Sequence, residues 1–211
     1  MELMPQYQQE PKVIQQVHPK GNLYARYGKR TLDLMLCVLL SIPSLFLFPV
    51  IALLIRLESR GPVFFVQPRI GWGGKEFQII KFRTMYADVP SQGRSPHEDG
   101  DPRITKVGRI LRKTSLDELP QIINILKGEM SFIGPRPEQK MIVEQFYTGY
   151  ERLRFLVKPG ITGLWQVSPD RTKPIHENLH HDLYYIQNIS FALDLKIVWK
   201  TIMVMFKSNT H

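Results

Sequence analysis

The feature of this sequence that most limits its fold is a long apolar segment in the first third of the chain. From Leu34 to Ile55 it reads LMLCVLLSIPSLFLFPVIALLI and carries no charged residue. A helix of that length measures roughly 33 Å, which is enough to cross the hydrocarbon core of a bilayer. The alternative is a core helix of a soluble protein, but such helices seldom stay free of charge for so long. The segment therefore predicts a helix inserted in a membrane.

Two prolines and the flanking charges bear on how this helix meets the membrane. Pro43 and Pro49 each remove a backbone hydrogen bond, so both are predicted positions of a kink. Basic residues flank the segment on both sides, whereas the positive-inside rule needs an imbalance between the sides. We favour a re-entrant helix that returns to the face it entered, although the charges alone also fit a plain crossing. The flanking basic residues are Lys20, Arg26, Lys29 and Arg30 before the segment and Arg56, Arg60 and Arg69 after it.

The composition indicates which binding partners and which cellular compartment to expect. The 211 residues carry a formal net charge of +9 without an acidic tract, which indicates phosphates, nucleic acid or an anionic membrane surface as partners. The single cysteine, Cys37, lies in the apolar segment, so we expect no intrachain disulfide and a cytosolic folded part. The first residues are rich in Gln and Pro and lack the apolar core of a signal peptide. No P-loop, GxGxxG or GxSxG element occurs.

After Arg60 the pattern changes to short apolar runs separated by Gly and Pro turns. It predicts two strands, from Val63 to Gln67 and from Glu76 to Phe82, joined by PRIGWGG into a hairpin. Residues 86–105 have no period and are rich in Gly, Ser, Pro and Asp. We expect a long loop there, either functional or disordered.

Residues 103–113 form a basic segment with helical spacing. Lys106, Arg109 and Lys113 fall on one face of the predicted helix. That face is either simply solvated or binds phosphate, for which arginine offers a two-pronged guanidinium. The opposite face carries Val107, Ile110 and Leu111.

The stretch RKTSLDELPQ, residues 112–121, places two carboxylates side by side. Asp117 and Glu118 oppose each other's ionisation. The pair therefore either stabilises the start of a helix or takes part in catalysis. In the first interpretation Ser115 and Glu118 form a capping box. Asp117 then lies in the first turn, where the helix dipole favours negative charge.

The next segments are a short helix and a stiff loop. The helix is predicted from about Leu119 to Leu126, with Gly128 as its C-cap. In SFIGPRPE, Pro135 and Pro137 hold the backbone around Arg136 extended. Such an arginine suits a ligand clamp and a rigid surface loop equally well.

Two further helical regions complete the chain. Residues 138–157 predict an amphipathic helix that ends before the turns of KPGITGLWQV. Residues 180–207 mix aromatic and aliphatic side chains with lysines. This mixture predicts a helix lying in the membrane interface, with a core helix that has one solvated face as the alternative.

Six stretches together resemble the motifs of one family. KRTLDL, GPVFFVQPRIG, FQIIKFRTM, DPRITKVGRILRKTSLDELPQIINILKGEMSFIGPRPE, VKPGITGLWQV and DLYYIQNISFALDLKIVWKT are similar, in this order, to the bacterial sugar transferases. These are the monotopic phosphoglycosyl transferases, which start glycan assembly on a polyprenyl phosphate. The likeness covers about Lys29 to Met205.

The resemblance implies a fold class and a division of the chain. The class is α+β and mostly helical, with a re-entrant membrane helix, a small β-hairpin and amphipathic interfacial helices around a cytoplasmic active site. Residues 1–28 would be a flexible segment and residues 29–59 the membrane-inserted re-entrant helix. Residues 60–211 would be the cytoplasmic catalytic domain, with the interfacial helices at its C-terminal end.

The resemblance also implies a reaction. Family members transfer a sugar 1-phosphate from a UDP-sugar to undecaprenyl phosphate and release UMP. Carried over, Asp117 is the nucleophile of a ping-pong sequence through a phosphosugar-aspartyl intermediate. Glu118 assists as a neighbouring acid or base or arranges the metal, and Mg²⁺ bridges Asp117 and the diphosphate. The groups expected to bind phosphate or nucleotide are Lys81, Arg83, Arg103, Arg112 and Arg136.

The implied setting is the cytoplasmic face of the bacterial inner membrane, against its anionic leaflet. The reaction would be the first membrane step of a surface glycan pathway, such as exopolysaccharide, O-antigen or capsule synthesis. The partners are the UDP-sugar, the polyprenyl phosphate and the bilayer, and the resemblance allows a homodimer. With no large membrane module before the domain, the chain looks like the minimal form of the family.

Two stretches depart from the family pattern. The family breaks its membrane helix at a Ser-Pro step, and here Phe48 precedes Pro49. Ser41 and Ser44 are the nearest residues to supply the missing side-chain hydrogen bond. In QVSPDRT, many members instead have an Asn-Gly-Arg run, which bears on the choice of nucleotide or sugar.

The sequence also allows two other classes of function. A membrane-anchored scaffold would recruit anionic partners through its basic surface, and its carboxylate pair would be dispensable. Nucleic-acid binding is suggested only by the net charge, because the sequence has no recognised motif for it. We therefore expect no nucleic-acid partner.

Overall fold

The structure is a computed structural model that describes residues 17–19, 21–89 and 101–208, with side chains up to residue 206. Much of the predicted flexible segment, residues 1–16 and 20, and residues 90–100 of the predicted loop lie outside this description. Tyr24–Gly28 forms a π-helical turn that leads directly into the first α-helix. Helical structure therefore begins before position 29. The predicted class, mostly helical with a small β-hairpin, is confirmed.

The apolar segment forms one long helix, α1 (Lys29–Glu58). Together with the preceding turn it is long and apolar enough to cross a membrane, and only 17% of its most apolar window is buried against the protein. A core helix of a soluble domain would instead be mostly buried. The exposed apolar surface of α1 indicates association with a membrane.

Pro43 and Pro49 lie inside α1, and neither ends it. Each proline lacks the N–H that would bond to the carbonyl four residues earlier. The Ser41 hydroxyl donates at 2.7 Å to the Cys37 carbonyl, which is not one of the two carbonyls that the prolines leave without a donor. Bending at these prolines stays a prediction.

The predicted hairpin is present. Strands β1 (Phe64–Ile70) and β2 (Glu76–Phe82) pair antiparallel along their whole length. β1 continues to Ile70 rather than ending at Gln67. The connection turns at Gly73 and Gly74, whose positive φ angles of 66° and 73° favour glycine.

Three further strands lie later in the chain. β4 (Glu138–Gln139) pairs antiparallel with β1, which gives a three-stranded sheet in the order β2-β1-β4. β3 (Ser131–Ile133) and β5 (Gly160–Thr162) form a separate parallel pair. The segment between β3 and β4 contains Arg136, so both of its ends are tied to a sheet.

The remaining helices are short except for the last. The predicted amphipathic helix over residues 138–157 is wrong: its first two residues form β4, and residues 147–150 separate a helix over Lys140–Phe146 from a 3-10 turn. The α-helices are α2 (Lys106–Lys113), α3 (Ile122–Lys127), α4 (Lys140–Phe146), α5 (His180–Asn188) and α6 (Phe191–Ser208). The 3-10 turns are Trp72–Gly74, Leu116–Gln121, Glu151–Leu156, Pro169–Thr172 and Ile175–Glu177.

Helix α2 is rotated relative to the predicted faces. Leu111 is buried, but Ile110 is 62% exposed. The reason lies at Gly108, where an added Cβ would come within 2.0 Å of the Thr84 carbonyl oxygen. Gly108 must therefore face the body of the protein, which turns Ile110 outward. The basic residues Lys106, Arg109 and Lys113 are exposed, which fits the solvated and the phosphate-binding interpretation alike.

The N-terminal half of α1 is bound to the rest of the protein. Arg30 donates to the carbonyls of Ile125 at 2.6 Å and Leu126 at 3.0 Å, at the end of α3 where carbonyls lack intrahelical partners. The buried Asp33 carboxylate accepts a hydrogen bond from the Phe132 N–H at 3.1 Å.

The C-terminal end of α1 is bound to the same body. Glu58 accepts hydrogen bonds from the N–H groups of Lys106 at 2.6 Å and Val107 at 2.8 Å, and so caps the start of α2. Arg83 donates to the carbonyls of Ser59 and Arg60. Both ends of the apolar helix thus contact one folded unit, and apolar side chains between them are exposed. These are Leu34, Met35, Val38, Leu39, Ile42, Leu45, Phe46, Leu47, Val50, Leu53, Leu54 and Leu57.

Strand β2 joins the core to α1. Cys37 packs with Phe77 and Ile79 in one buried cluster, and Ile51 packs with Phe82 in another. Each half of the apolar helix α1 therefore contacts the same strand.

Asn124 bonds α3 to the free edge of β2. Its Oδ1 accepts from the Ile80 N–H at 3.1 Å, and its Nδ2 donates to the Gln78 carbonyl at 2.7 Å. The side chain is fully buried, so these edge groups have no access to water there.

We predict that Asn124→Ala lowers the free energy of unfolding by about 2 to 3 kcal/mol, because it leaves buried backbone groups unpaired. The apparent melting temperature of the purified protein should fall by about 5–10 °C. Asn188→Ala is the matched control, since among the described residues the Asn188 side chain bonds to the Tyr184 carbonyl alone, in a hydrogen bond exposed to solvent. Equal melting temperatures for the two variants would contradict the prediction.

Candidate active site

The adjacent carboxylates lie on the 3-10 turn Leu116–Gln121, not at the start of an α-helix. Ser115 precedes the turn in the left-handed conformation, with φ of 56°, and its side chain caps no N–H. The predicted capping box between Ser115 and Glu118 is therefore wrong. A 3-10 turn rotates successive residues by about 120°, so Asp117 and Glu118 point in different directions.

Pro120 lies in the same turn, before the first residue of α3. Its missing N–H consequently removes no hydrogen bond from the α-helix. The helix predicted from Leu119 begins at Ile122, while Gly128 caps its end in the left-handed conformation as predicted, with φ of 82°. The dyad is therefore placed by a proline-containing turn that packs along β2.

Glu118 is held by two cations from other elements. Lys81, on β2, places its Nζ 2.5 Å from Glu118 Oε1, and Arg136 Nη1 lies 3.7 Å from the same oxygen. Burial alone would raise the pKa of Glu118, but the charges of Lys81 and Arg136 outweigh it and lower the pKa below its usual range. Glu118 is therefore ionised and already paired.

Asp117 has the opposite shift. Burial and, second, the charge of Glu118 raise the pKa of Asp117 to about 6, against the lowering effect of Lys81, Arg112 and Arg136. Within the described residues its carboxylate accepts no hydrogen bond. Two neighbouring carboxylates with pKa values pushed apart suit different chemical roles.

The structure brings three of the five predicted cationic residues to the dyad. Lys81 and Arg136 contact Glu118, and the charge of Arg112 acts on Asp117. Arg112 is oriented by a hydrogen bond from its Nε to the Thr84 hydroxyl at 2.9 Å.

The other two predicted cations are placed elsewhere. Arg83 is buried and donates to Ser59 and Arg60 at the end of α1, so its guanidinium is used to hold that end. Arg103 pairs with Asp101 at 2.7 Å on the surface. Neither contacts the dyad.

A cleft next to Glu118 encloses about 210 Å³, part of it open to solvent. Asp117 is not among its lining residues, so the cleft reaches the dyad through Glu118. The lining residues are Arg69, Ile79, Lys81, Glu118, Gln121, Arg136, Pro137, Gly160 and Ile161.

Arg69 and Gln121 belong to this site and were not predicted. Gln121 is buried and hydrogen-bonds to Glu118. From the sequence, Arg69 is noted only as a basic residue after the apolar segment. In the structure, burial and, second, the charge of Arg136 lower the pKa of Arg69 to about 10. No signal in the sequence marks Arg69, because the predicted strand ends at Gln67 and places Arg69 in the connecting turn, where an exposed arginine is ordinary.

The donor set around the dyad fits the implied Mg²⁺. This ion typically takes one or two carboxylates together with substrate phosphates and water. Asp117 is the carboxylate with no competing hydrogen bond among the described groups, whereas Glu118 is paired with Lys81. Asp117 is thus the residue that would hold the ion.

A second group of ligand atoms lies on the C-terminal side of the chain. Asp170, His180 and His181 bring three such atoms within 4.8 Å of one another. Asp170 is already paired with Lys173 at 2.8 Å and with His181 at 3.0 Å. We assign no ion to this group.

Comparison with known proteins gives the family. Residues 24–208 match the family described as bacterial sugar transferase. Over 186 residues the chain is 45% identical to the UDP-N-acetylgalactosamine-undecaprenyl-phosphate N-acetylgalactosaminephosphotransferase of Aeromonas hydrophila, covering 85% of this chain and 44% of that protein.

Two further relatives are closer to this chain in length. The UDP-glucose:undecaprenyl-phosphate glucose-1-phosphate transferase of Caulobacter vibrioides is 40% identical over 181 residues, which are 82% of this chain and 68% of the relative. The exopolysaccharide production protein ExoY of Sinorhizobium fredii is 35% identical over 207 residues, which are 91% of this chain and 89% of the relative. The chain thus spans less than half of the Aeromonas protein and most of these two.

The family match contains α1, the dyad and the three cations around it. Its length and the identities to these relatives show that the chain belongs to the bacterial sugar transferase family.

Proposed function

We propose that this protein transfers a sugar 1-phosphate from a UDP-sugar to undecaprenyl phosphate and releases UMP. The names of the relatives describe this class of reaction for different sugars, N-acetylgalactosamine and glucose among them. The observation in this chain that carries the proposal is the dyad itself. An Asp with a pKa of about 6 and no hydrogen bond from the described residues lies beside a Glu that Lys81 and Arg136 neutralise.

The first chemical step uses Asp117 as the nucleophile. One carboxylate oxygen attacks the phosphorus that bears the sugar, and the bond from that phosphorus to the bridging oxygen breaks. UMP leaves with the electron pair, and the phosphosugar remains on Asp117 as an acyl phosphate. In the second step an oxygen of undecaprenyl phosphate attacks the same phosphorus. The bond to Asp117 breaks, which restores the carboxylate.

The cations make the first step feasible, because an anionic carboxylate repels an anionic diphosphate. Arg136 and Lys81 border the cleft and Arg112 acts on Asp117, so positive charge lies on both sides of the dyad. Mg²⁺ held at Asp117 would supply further charge neutralisation to the diphosphate. Glu118 holds Lys81 and Arg136 at the cleft.

Asp117→Asn should lower UMP release by roughly 10³-fold or more, because the amide cannot form the phosphosugar intermediate. Membranes containing the protein are incubated with undecaprenyl phosphate, Mg²⁺ and, in turn, UDP-linked N-acetylgalactosamine, glucose and galactose, and released UMP is measured. Glu76→Gln, at an exposed pair with Lys140, is the control and should keep full activity.

Mass spectrometry of the wild-type protein after UDP-sugar alone should show a phosphosugar adduct on the peptide containing Asp117. Full turnover by Asp117→Asn would contradict the assignment of Asp117 as the nucleophile. Absence of UMP release by the wild-type protein would instead leave the scaffold interpretation, in which the dyad is dispensable.

The pH dependence should follow Asp117. The carboxylate is the reactive form, so kcat/KM for the UDP-sugar should fall about tenfold per unit as the pH drops below the pKa of Asp117, which is about 6 in the metal-free protein, and be level above it. In a ping-pong sequence this ratio reports only the first half-reaction. Glu118→Gln removes a like charge from beside Asp117, so in its residual activity the midpoint should move to lower pH. A midpoint that stays at the wild-type value in this variant would contradict the assigned coupling.

We further propose that α1 is re-entrant and that the folded body lies on the cytoplasmic face of the inner membrane. Both ends of α1 contact the same body, through Arg30 and Asp33 at one end and Glu58 at the other. A helix that crossed the bilayer would carry one end away from that body. Both ends are also basic, which favours the cytoplasmic side for each.

Helix α6 supports the same placement. Its exposed apolar side chains recur at helical spacing along one face, as expected for a helix lying in the membrane interface. Phe191 at its start packs edge-on against Tyr24, just before α1, with ring centres 5.9 Å apart. The start of α6 therefore contacts the turn that precedes α1. The exposed residues of α6 are Phe191, Leu195, Val198, Trp199, Ile202, Met203 and Phe206.

Cysteine labelling tests this topology. Arg26→Cys and Lys75→Cys place thiols at exposed positions before and after α1. A membrane-impermeant maleimide should label both in inverted vesicles and neither in intact spheroplasts. The wild type is the control, because its single thiol, Cys37, is buried. Labelling of Arg26→Cys from outside would mean that α1 crosses the membrane.

A further inference from the structure

The loop that carries Arg136 is held through its backbone carbonyls. It runs from β3 to β4, and Pro135 and Pro137 have no N–H with which to form hydrogen bonds within the loop. Three successive carbonyls instead accept from three separate elements. The Gly160 N–H bonds to Pro135 at 2.9 Å, Arg154 Nη2 to Arg136 at 2.7 Å, and Arg69 Nη1 to Pro137 at 3.0 Å.

Arg154 is a charged residue that is almost fully buried, so it needs partners for its guanidinium. It is 2% exposed, and its charge is offset by Asp182, whose Oδ2 lies 2.8 Å from Arg154 Nη2. Its other terminal nitrogen donates to the Tyr147 hydroxyl. Buried ion pairs add little to stability compared with well-packed apolar residues of similar volume. The contribution of this charged side chain to the loop is its hydrogen bond to the Arg136 carbonyl.

Arg69 holds the other side of the same residue. Its Nη2 donates to Gln67 at 2.7 Å along β1, and Glu138, 3.8 Å away, follows Pro137 directly at the start of β4. The Arg69 side chain is 11% exposed and borders the cleft. Its hydrogen bond to Pro137 therefore fixes the loop where it enters the sheet.

The side chain of Arg136 is much less constrained than its backbone. It is 33% exposed and reaches Glu118 only at 3.7 Å, beyond hydrogen-bond distance. A long, flexible side chain keeps its guanidinium at the dyad only if its Cα is fixed.

We propose that Arg69 and Arg154 are positioning residues, a pair of buried arginines that clamp the carbonyls of Pro137 and Arg136 and so hold the Arg136 guanidinium at the dyad. The effect on turnover rests on the proposed sugar-phosphate transfer, whereas the effect on the loop does not.

A double-mutant cycle tests whether Arg154 acts through Arg136. Arg154→Gln combined with Asp182→Asn removes the donor without leaving an unpaired buried charge. This pair of changes should lower kcat/KM for the UDP-sugar by about tenfold or more. In an Arg136→Met background the same changes should lower it by less than about twofold, because the residue they position is gone. Fully additive losses, or unchanged activity in the wild-type background, would overturn the proposal.

Hydrogen exchange tests the loop without any assay of turnover. Exchange in a peptide covering residues 131–141 should become faster in the Arg154→Gln/Asp182→Asn protein. Glu58→Gln is the control, since it weakens the hydrogen bonds that Glu58 accepts from the Lys106 and Val107 N–H groups, away from the loop. Unchanged exchange in the first variant, or the same increase in both, would overturn the clamp.

Arg69→Lys provides the second variant if the Arg154 protein does not fold. Lysine keeps the charge but cannot bond to Gln67 and Pro137 together in the same geometry, so kcat/KM should fall and the loop should exchange faster. Wild-type activity and exchange in Arg69→Lys would overturn the proposal. Absence of UMP release from every UDP-sugar by the wild-type protein would refute the proposed function alone and leave the exchange test decisive for the clamp.

Discussion

The ion pair between Lys81 and Glu118 is the contact on which the site depends. Two adjacent carboxylates in a partly buried place would otherwise compete for one proton. Lys81 removes that competition by keeping Glu118 ionised, at 2.5 Å and with both side chains about one-sixth exposed. Asp117 is then left as the group with the raised pKa and without a hydrogen bond from the described residues. The different tasks that we propose for the two residues follow from this single asymmetry.

The same strand connects the dyad to the membrane helix. Phe77, Ile79 and Lys81 alternate along β2 and therefore share one of its faces. Phe77 and Ile79 pack against Cys37 of α1, while Lys81 reaches Glu118. Asn124 fastens the edge of β2 to the helix that follows the dyad. The position of the carboxylates relative to α1 is thus set by packing over a few residues, not by a flexible linker.

The clamp around Arg136 extends this rigidity to the other wall of the cleft. Its backbone is fixed by Arg69 on β1, which precedes the loop in the sequence, and by Arg154 and the first residue of β5, which follow it. A loop with two prolines is stiff but has few donors of its own. The protein compensates with buried arginines, and their charges are offset by Glu138 and Asp182.

Several elements followed from local sequence because their causes are local. Alternation predicted the β1–β2 hairpin, and Gly128 predicted the end of α3, since both depend on backbone preferences over a few residues. The capping box failed because Ser115 adopts the left-handed conformation, which the pattern Ser-x-x-Glu does not reveal. The helix over residues 138–157 failed because pairing of Glu138–Gln139 with β1 is a contact between distant segments.

The residues of the candidate site were also predicted only in part. Asp117, Glu118 and the residues Lys81, Arg112 and Arg136 were found from motifs, because the resemblance already includes their distant neighbours. Arg69 was missed and Arg83 was given a place at the dyad that it does not take. In both cases the sequence shows a charge but not the carbonyls that it meets.

The sequence by itself determined that a charge-free helix must leave water, that a hairpin follows it, and that two carboxylates stand together near many cations. These features depend on hydrophobicity, backbone preference and adjacency along the chain. Only the tertiary structure decided which cations reach the dyad, which of the two carboxylates has the raised pKa, and that both ends of α1 contact one body. Those outcomes depend on distance and burial between segments that are far apart in sequence, and such contacts leave no local pattern.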